Sequence, residues 1–251
     1  MFTLRMVRWW LLIGVQSHAS VIGHRGSLVG PLGGRGATVV ASHGALSSLA
    51  SRAAAAIRDD RAHVEPSFLS GDALASARAD IVSVLAQIPE DDSGDFQSVQ
   101  TDLLNPEFRQ QLPVPVPFAS LLSQLEELRI ALADSTGRRF LEGGGFHLMH
   151  YPKGGKFMRH VDEDPTLYEP VRNSVSFLIY LTPNDWTADD GGALCVYDAG
   201  DGCAPRRVLP TAGTLVIYDS TLEHEVLPTE RTRHLISGRY RELDEDWRRE
   251  R

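Results

Sequence analysis

Between residues 146 and 241 the chain breaks into eight short apolar or alternating runs. They lie near 146–151, 156–161, 174–182, 192–198, 205–209, 213–219, 223–227 and 233–241, punctuated by Gly, Pro and Asp. Runs this short do not make packed helices, but they fit strands whose side chains alternate between two faces. Eight such strands with no helical pattern between them predict a barrel-like or jelly-roll β architecture, not an alternating α/β fold. Two helices are predicted ahead of them. Over 67–87, Leu74, Ala77, Ile81, Val84 and Leu85 recur at helical spacing, with Ile88 in phase and Pro89 closing the segment. Over 118–134, Leu121, Leu122, Leu125, Leu128 and Leu132 share one side. Both helices are expected to pack on the sheet and to do no chemistry. The polar stretch 90–117 reads as a connection, because Pro113, Pro115 and Pro117 exclude a helix there.

Charge divides the chain. Residues 1–58 hold no Asp, Glu or Lys but six arginines, while the remainder carries 19 basic and 33 acidic residues, a balance of −14. Arg-containing, Ser- and Gly-rich, acid-free segments resemble organelle transit peptides (mitochondrial or plastid). The apolar run Trp9 to Val15, followed by Ser17-His18-Ala19, also fits a secretory signal, and an untargeted tail in a cytoplasmic protein is the third reading. On each of them residues 1–60 stay outside a catalytic unit at 61–251, with helical support at 67–140 and the β domain at 141–245. The apolar run is too short to span a bilayer, and a net charge of −8 offers no basic surface for nucleic acid. Cys195 and Cys203, eight apart, either pair across a hairpin or remain two thiols.

Within the β region one set of side chains carries chemistry. His160 and Asp162 are two apart, and on a strand such residues face the same way. His224 follows 62 residues later, from a strand closing over the same cavity. Two imidazoles and a carboxylate hold a ferrous ion on one face and leave the opposite positions open. Arg233, nine residues beyond His224, offers a planar guanidinium for the distal carboxylate of a small diacid. Tyr180, near the end of the apolar run 175–181, is a candidate second donor to that carboxylate. Tyr151, before a Pro-Lys-Gly-Gly turn, is a candidate cavity residue, the alternative for both being a core aromatic. Gly191-Gly192 and Gly213 mark turns or close backbone approaches, and no phosphate-binding loop is present. His147, His150 and His234 are read as structural or surface residues.

These residues resemble a known family. Tyr151-Pro152 with Arg159-His160-Val161-Asp162, Ile179-Tyr180-Leu181 with Asp185-Trp186, Asp190-Gly191-Gly192-Ala193-Leu194, and His224-Glu225-Val226-Leu227-Pro228 with Arg233 are similar to the prolyl-4-hydroxylase class of iron(II)/2-oxoglutarate dioxygenases. The nearest branch is the hypoxia-inducible-factor prolyl hydroxylases. The resemblance spans roughly 67–241. It implies a double-stranded β-helix, a cupin-like jelly roll flanked by N-terminal helices, of mainly β (α+β) class. It also implies Fe(2+), 2-oxoglutarate, O2 and L-ascorbate as cofactors and co-substrates. His160, Asp162 and His224 would be the iron ligands. Arg233 would bind the C5 carboxylate beside Tyr180, with Tyr151 nearby and Leu178, Leu194 and Val226 as apolar walls. The loop 163–173 would close over substrate, with Arg172 a candidate contact. The expected substrate is a prolyl residue in a protein or peptide. The same chemistry on a free amino acid or other small molecule, and a non-catalytic metal-binding β-barrel, stand as alternatives. Two departures concern the substrate side: the turn after Tyr151 is one residue shorter, and Arg239 replaces an aromatic near the end of the last strand, a candidate contact for an acidic or polar substrate.

Overall fold

Alternation along the strands builds two cores on the two faces of one sheet. The computed structural model describes residues 43–86, 95–101, 103–104, 107, 110, 118–164, 166, 170–197 and 204–244. Its helices are α1 (His43–Arg58), α2 (Gly71–Leu85) and α3 (Ala119–Thr136). Its strands are β1 (His63–Glu65), β2 (Gln97–Thr101), β3 (Gly145–Tyr151), β4 (Phe157–His160) and β5 (Val171–Tyr180), then β6 (Leu194–Val196), β7 (Arg206–Val208), β8 (Leu215–Asp219), β9 (His224–Val226) and β10 (Arg233–Leu243). The larger sheet runs β1-β8-β5-β10-β3-β2 and the smaller β4-β9-β6-β7. Every pairing in both is antiparallel. The eight strands expected from sequence are β3 to β10. They fold as a jelly roll, four in each sheet, and the class is α+β as expected.

On the outer face of the larger sheet, Phe146, Leu148, Val175, Phe177, Ile179, Leu215, Ile217, Ile236 and Tyr240 pack against the helices. On the inner face, Met149, Tyr151, Leu178, Tyr180, Val216, Tyr218 and Leu235 meet Leu194, Val196 and Val226 of the smaller sheet. Neighbours in sequence thus fall into different cores, as a two-residue period requires.

Both expected helices form, with shifted ends. Ser67 adopts a φ of 57° and Ser70 is extended, so α2 starts only at Gly71. The Phe118 N–H donates to Asp80 Oδ2 at 2.7 Å, anchoring the start of α3 to α2. Gly137, at φ 72°, ends α3 with its N–H on the Ala133 carbonyl. Arg78 of α2 donates to the Leu181 and Thr182 carbonyls and to Asn184 Oδ1, tying that helix to the end of β5. Gly213 sits against the same end. A Cβ there would lie 1.9 Å from the Leu69 carbonyl oxygen, and its φ is 72°, so only glycine fits.

Three expectations need correction. The stretch 90–117 contains β2, which extends the sheet beside β3. Pro113, Pro115 and Pro117 lie outside the described residues. β1 was unexpected, being three residues long and held by its pairing with β8. Placing residues 1–60 outside the fold cut away α1. Its small apolar face buries Leu49, Ala50, Ala53 and Ile57 in the same core as α3. Residues 1–42 lie outside the described residues. No described helix is long and apolar enough to cross a membrane.

Candidate active site

β4 carries His160 at its last position, opposite His224 at the first position of β9. Their rings are 4.2 Å apart between centroids. Asp162 lies beyond the strand, so strand alternation does not aim it. The N–H groups of Asp162 and Glu163 instead donate to the Ser220 carbonyl, each at 2.9 Å. Asn173 Nδ2 holds the Asp162 carbonyl at 2.9 Å. The corner between β8 and β9 thereby brings the carboxylate to the two imidazoles. One ligand atom from each of His160, Asp162 and His224 lies within 4.8 Å of the others.

The second nitrogen of each ring is occupied. His160 Nδ1 faces the Met158 carbonyl at 2.7 Å and His224 Nδ1 faces that of Leu222 at 2.9 Å. A carbonyl only accepts, so each Nδ1 carries the proton and each Nε2 presents a lone pair to the centre. Burial, with His224 nearby, lowers the His160 pKa to about 4, which keeps the ring neutral and able to ligate. Burial pushes the Asp162 carboxyl up, but Arg239 and the two histidines outweigh it and hold the group well below the usual range. Two imidazoles and an anionic carboxylate this close together fit a divalent first-row metal such as Fe(II).

Arg233 begins β10 and points into the inner core, 1% exposed. Its guanidinium lies 4.5 Å from the Tyr151 ring centroid and 5.8 Å from that of Tyr180. Among the described residues none of its three nitrogens has a hydrogen-bond partner, and neither does the Tyr180 hydroxyl. Gly192, at φ 68°, keeps the floor open: a Cβ there would stand 3.1 Å from Arg233 Nε and 3.2 Å from Thr229 Oγ1. Burial lowers the Arg233 pKa, opposed by the two tyrosines, and burial pushes Tyr180 up to about 12, so its phenol stays a donor. An unpaired buried cation beside an unpaired buried donor is costly unless an anion fills the space. Leu178, Leu194 and Val226 belong to the same inner cluster.

The two substrate-side candidates are differently engaged. Arg172 is paired with Glu242 at 2.9 Å, and Arg239 turns inward to Asp162 Oδ1. Arg239 is 9% exposed, so it does not stand open to an acidic substrate as expected. Residues 165 and 167–169 of the expected closing loop, and Cys203, lie outside the described residues. His147 is buried, in keeping with its reading as a structural residue, whereas Tyr218 was not anticipated. Both face inward, and the Tyr218 hydroxyl lies 3.1 Å from Asp162 Oδ2 and 3.3 Å from His224 Nε2. The available signal was parity: His147 shares the face of Tyr151 on β3, and Tyr218 that of Val216 on β8.

Residues 146–241 match the family model of the 2OG-Fe(II) oxygenase superfamily. The match covers 96 of the 251 residues and contains the His160, Asp162 and His224 cluster. The fold resembles a Pseudomonas putida prolyl-4-hydroxylase, with 24% identity and a TM-score of 0.64, over 78% of this chain and 100% of that one. It resembles a Trichoplax adhaerens prolyl hydroxylase, solved with a hypoxia inducible factor oxygen degradation domain peptide fragment (19%, TM-score 0.62, 81% of this chain and 93% of that one). It also resembles the non-heme alpha ketoglutarate dependent carbocyclase SnoK from nogalamycin biosynthesis (16%, TM-score 0.57, 78% of this chain and 85% of that one). No curated protein matches the sequence. At these identities the structural likeness concerns the fold, and the superfamily is one of 2-oxoglutarate-dependent oxygenases.

Proposed function

We propose that this protein is an Fe(II)- and 2-oxoglutarate-dependent dioxygenase that hydroxylates a prolyl residue in a protein or peptide and converts 2-oxoglutarate to succinate and carbon dioxide. The observation that carries the chemistry is the buried guanidinium of Arg233, without a hydrogen-bond partner among the described residues, packed on Tyr151 and Tyr180 of the inner core whose Tyr218 touches Asp162 and His224 of the metal-binding cluster. A dicarboxylate supplies the missing anion at one end and metal-binding oxygens at the other. In this reading Arg233 takes the distal carboxylate, Tyr180 donates a second hydrogen bond, and Tyr151 stacks beside the guanidinium. Leu178, Leu194 and Val226 exclude water around the chain of the co-substrate. The iron, when bound, supplies dioxygen activation, and the protein supplies ligand geometry and a dry cavity.

A prolyl substrate is supported by the likeness of the fold to the two prolyl hydroxylases. The second reading keeps the chemistry and takes a small molecule, and the likeness to the carbocyclase favours it. A metal-binding protein without activity leaves Arg233 a buried charge with no purpose.

The test is succinate formation by the full-length protein with Fe(II), ascorbate, air and a panel of proline-containing peptides, with His160→Ala as control. Turnover stimulated by a peptide and abolished in the control is expected. Turnover stimulated only by small molecules selects the second reading. Metal binding with no succinate under any condition overturns both.

A further inference from the structure

Both oxygens of the Asp162 carboxylate are held by side chains other than metal ligands. Arg239 Nη2 donates to Oδ1, and the Tyr218 hydroxyl donates to Oδ2 at 3.1 Å. The carboxylate is 3% exposed, so water does not compete for it. Its backbone is anchored at Ser220 and Asn173, which leaves rotation of the carboxylate as its remaining freedom. Oδ2 faces His224 Nε2 at 3.8 Å, and Oδ1, the oxygen under Arg239, lies 3.8 Å from His160 Nε2. A carboxylate with both oxygens free can chelate a metal through the pair and fill two coordination positions. One whose Oδ1 is ion-paired to a guanidinium, while Oδ2 accepts a single hydrogen bond from a neutral phenol and keeps its second lone pair, offers Oδ2 alone.

We propose that Arg239 and Tyr218 form a two-donor clamp that fixes Asp162 as a one-oxygen ligand through Oδ2 and so keeps a third coordination position open at the metal. The inference rests on the metal reading of the site given above. A bidentate co-substrate needs two positions and dioxygen a third, so a chelating Asp162 would leave one too few. Both members are placed by the fold. Arg239 is six residues beyond Arg233 on the same face of β10, so one strand sends one guanidinium to the co-substrate end of the cavity and another to the metal end. Tyr218 reaches the centre from β8, 1% exposed, with its ring 4.8 Å from that of His224. Arg239 and Tyr218 are positioning residues: they act on the reaction through Asp162.

The test uses the full-length protein loaded with Co(II), whose visible absorption reports coordination number without any turnover. Tyr218→Phe, Arg239→Met and Arg239→Lys are compared with the wild type by that spectrum, before and after 2-oxoglutarate, and by calorimetric 2-oxoglutarate affinity. Tyr218→Phe and Arg239→Met are expected to change the Co(II) spectrum and weaken 2-oxoglutarate binding by about 10- to 100-fold, as for other groups that orient metal ligands. Arg239→Lys restores most of the affinity because its ammonium still donates to Oδ1. Should Arg239→Met fail to fold, Tyr218→Phe, which preserves the packing, decides. A folded Tyr218→Phe protein with wild-type spectrum and affinity overturns the proposal. So does a phenolate-to-metal absorption band in the ferric wild-type protein, since Tyr218 would then be a ligand. A wild type that binds Co(II) but not 2-oxoglutarate removes the dioxygenase reading, and the metal-only spectra of the variants still judge the clamp.

Discussion

Arg233 concentrates the conflict between stability and function in one side chain. In the ligand-free protein it is a buried cation with no hydrogen bond among the described residues, a state that costs several kcal/mol of desolvation. Arg233→Leu should therefore raise the melting temperature of the ligand-free protein by a few degrees, since replacing such a charge with an apolar residue gains about 1–4 kcal/mol. The same substitution should raise the KM for 2-oxoglutarate by roughly 100-fold, the order expected when a buried charge pair loses one partner. Differential scanning calorimetry and a co-substrate titration check the two halves. An Arg233→Leu protein that melts lower and binds 2-oxoglutarate normally contradicts the assignment. Residue identity made Arg233, His160, Asp162 and His224 visible in the sequence, because few side chains bind metals or carboxylates. Tyr218 was not visible, since an inward tyrosine reads equally well as a core residue until the strands are placed.

At the scale of elements, the strands hold the candidate metal-binding imidazoles and a corner aims the carboxylate. His160 and His224 sit opposite each other because β4 pairs with β9, whereas Asp162 depends on the corner that presents the Ser220 carbonyl. α1 has a different role. Leu46, Leu49, Ala50, Ala53, Ala54 and Ile57 are all buried. Removing them exposes apolar surface worth roughly 8 kcal/mol, an upper figure of the order of a whole domain's stability. A fragment covering 61–251 should accordingly be molten or insoluble, while one covering 43–251 folds cooperatively. Circular dichroism melts of the two fragments check this, and a cooperative melt of the shorter one near the temperature of the longer one contradicts it. The helical pattern of α1 was masked in the sequence by its neighbourhood. An Ala-rich face looks weakly apolar, and it sits inside an arginine-bearing, acid-free segment that resembles a targeting sequence.

Across the whole molecule, buried histidines connect stability to pH. Burial lowers His147 to about 4, and burial together with His150 lowers His234 to about 4. In the unfolded chain both titrate near their ordinary value of about 6.5. Between pH 6.5 and 4 the unfolded chain binds protons that the fold excludes, so stability falls as the pH falls through that window and is fully present above it. The slope is at most about 1.4 kcal/mol per pH unit for His147, and less for the half-buried His234. The metal-free protein should melt at a lower temperature at pH 5 than at pH 7, and His147→Asn should reduce the difference. Equal melting temperatures contradict the neutral assignment of these rings.

The sequence by itself determined the eight strands of the jelly roll, the two helices of 3.6-residue spacing and the residues proposed here to bind iron and a dicarboxylate. Each of these is a local property: a two-residue or 3.6-residue period, or the chemistry of one side chain. Tertiary structure alone decided that Arg239 pairs with Asp162, that Tyr218 touches both Asp162 and His224, that β1 and β2 widen the sheet and that α1 belongs to the fold. Those are properties of pairs brought together from 77, 56 or 6 residues apart. Which partner a buried charge finds is settled by where the strands register and which face turns inward, and no local period encodes that.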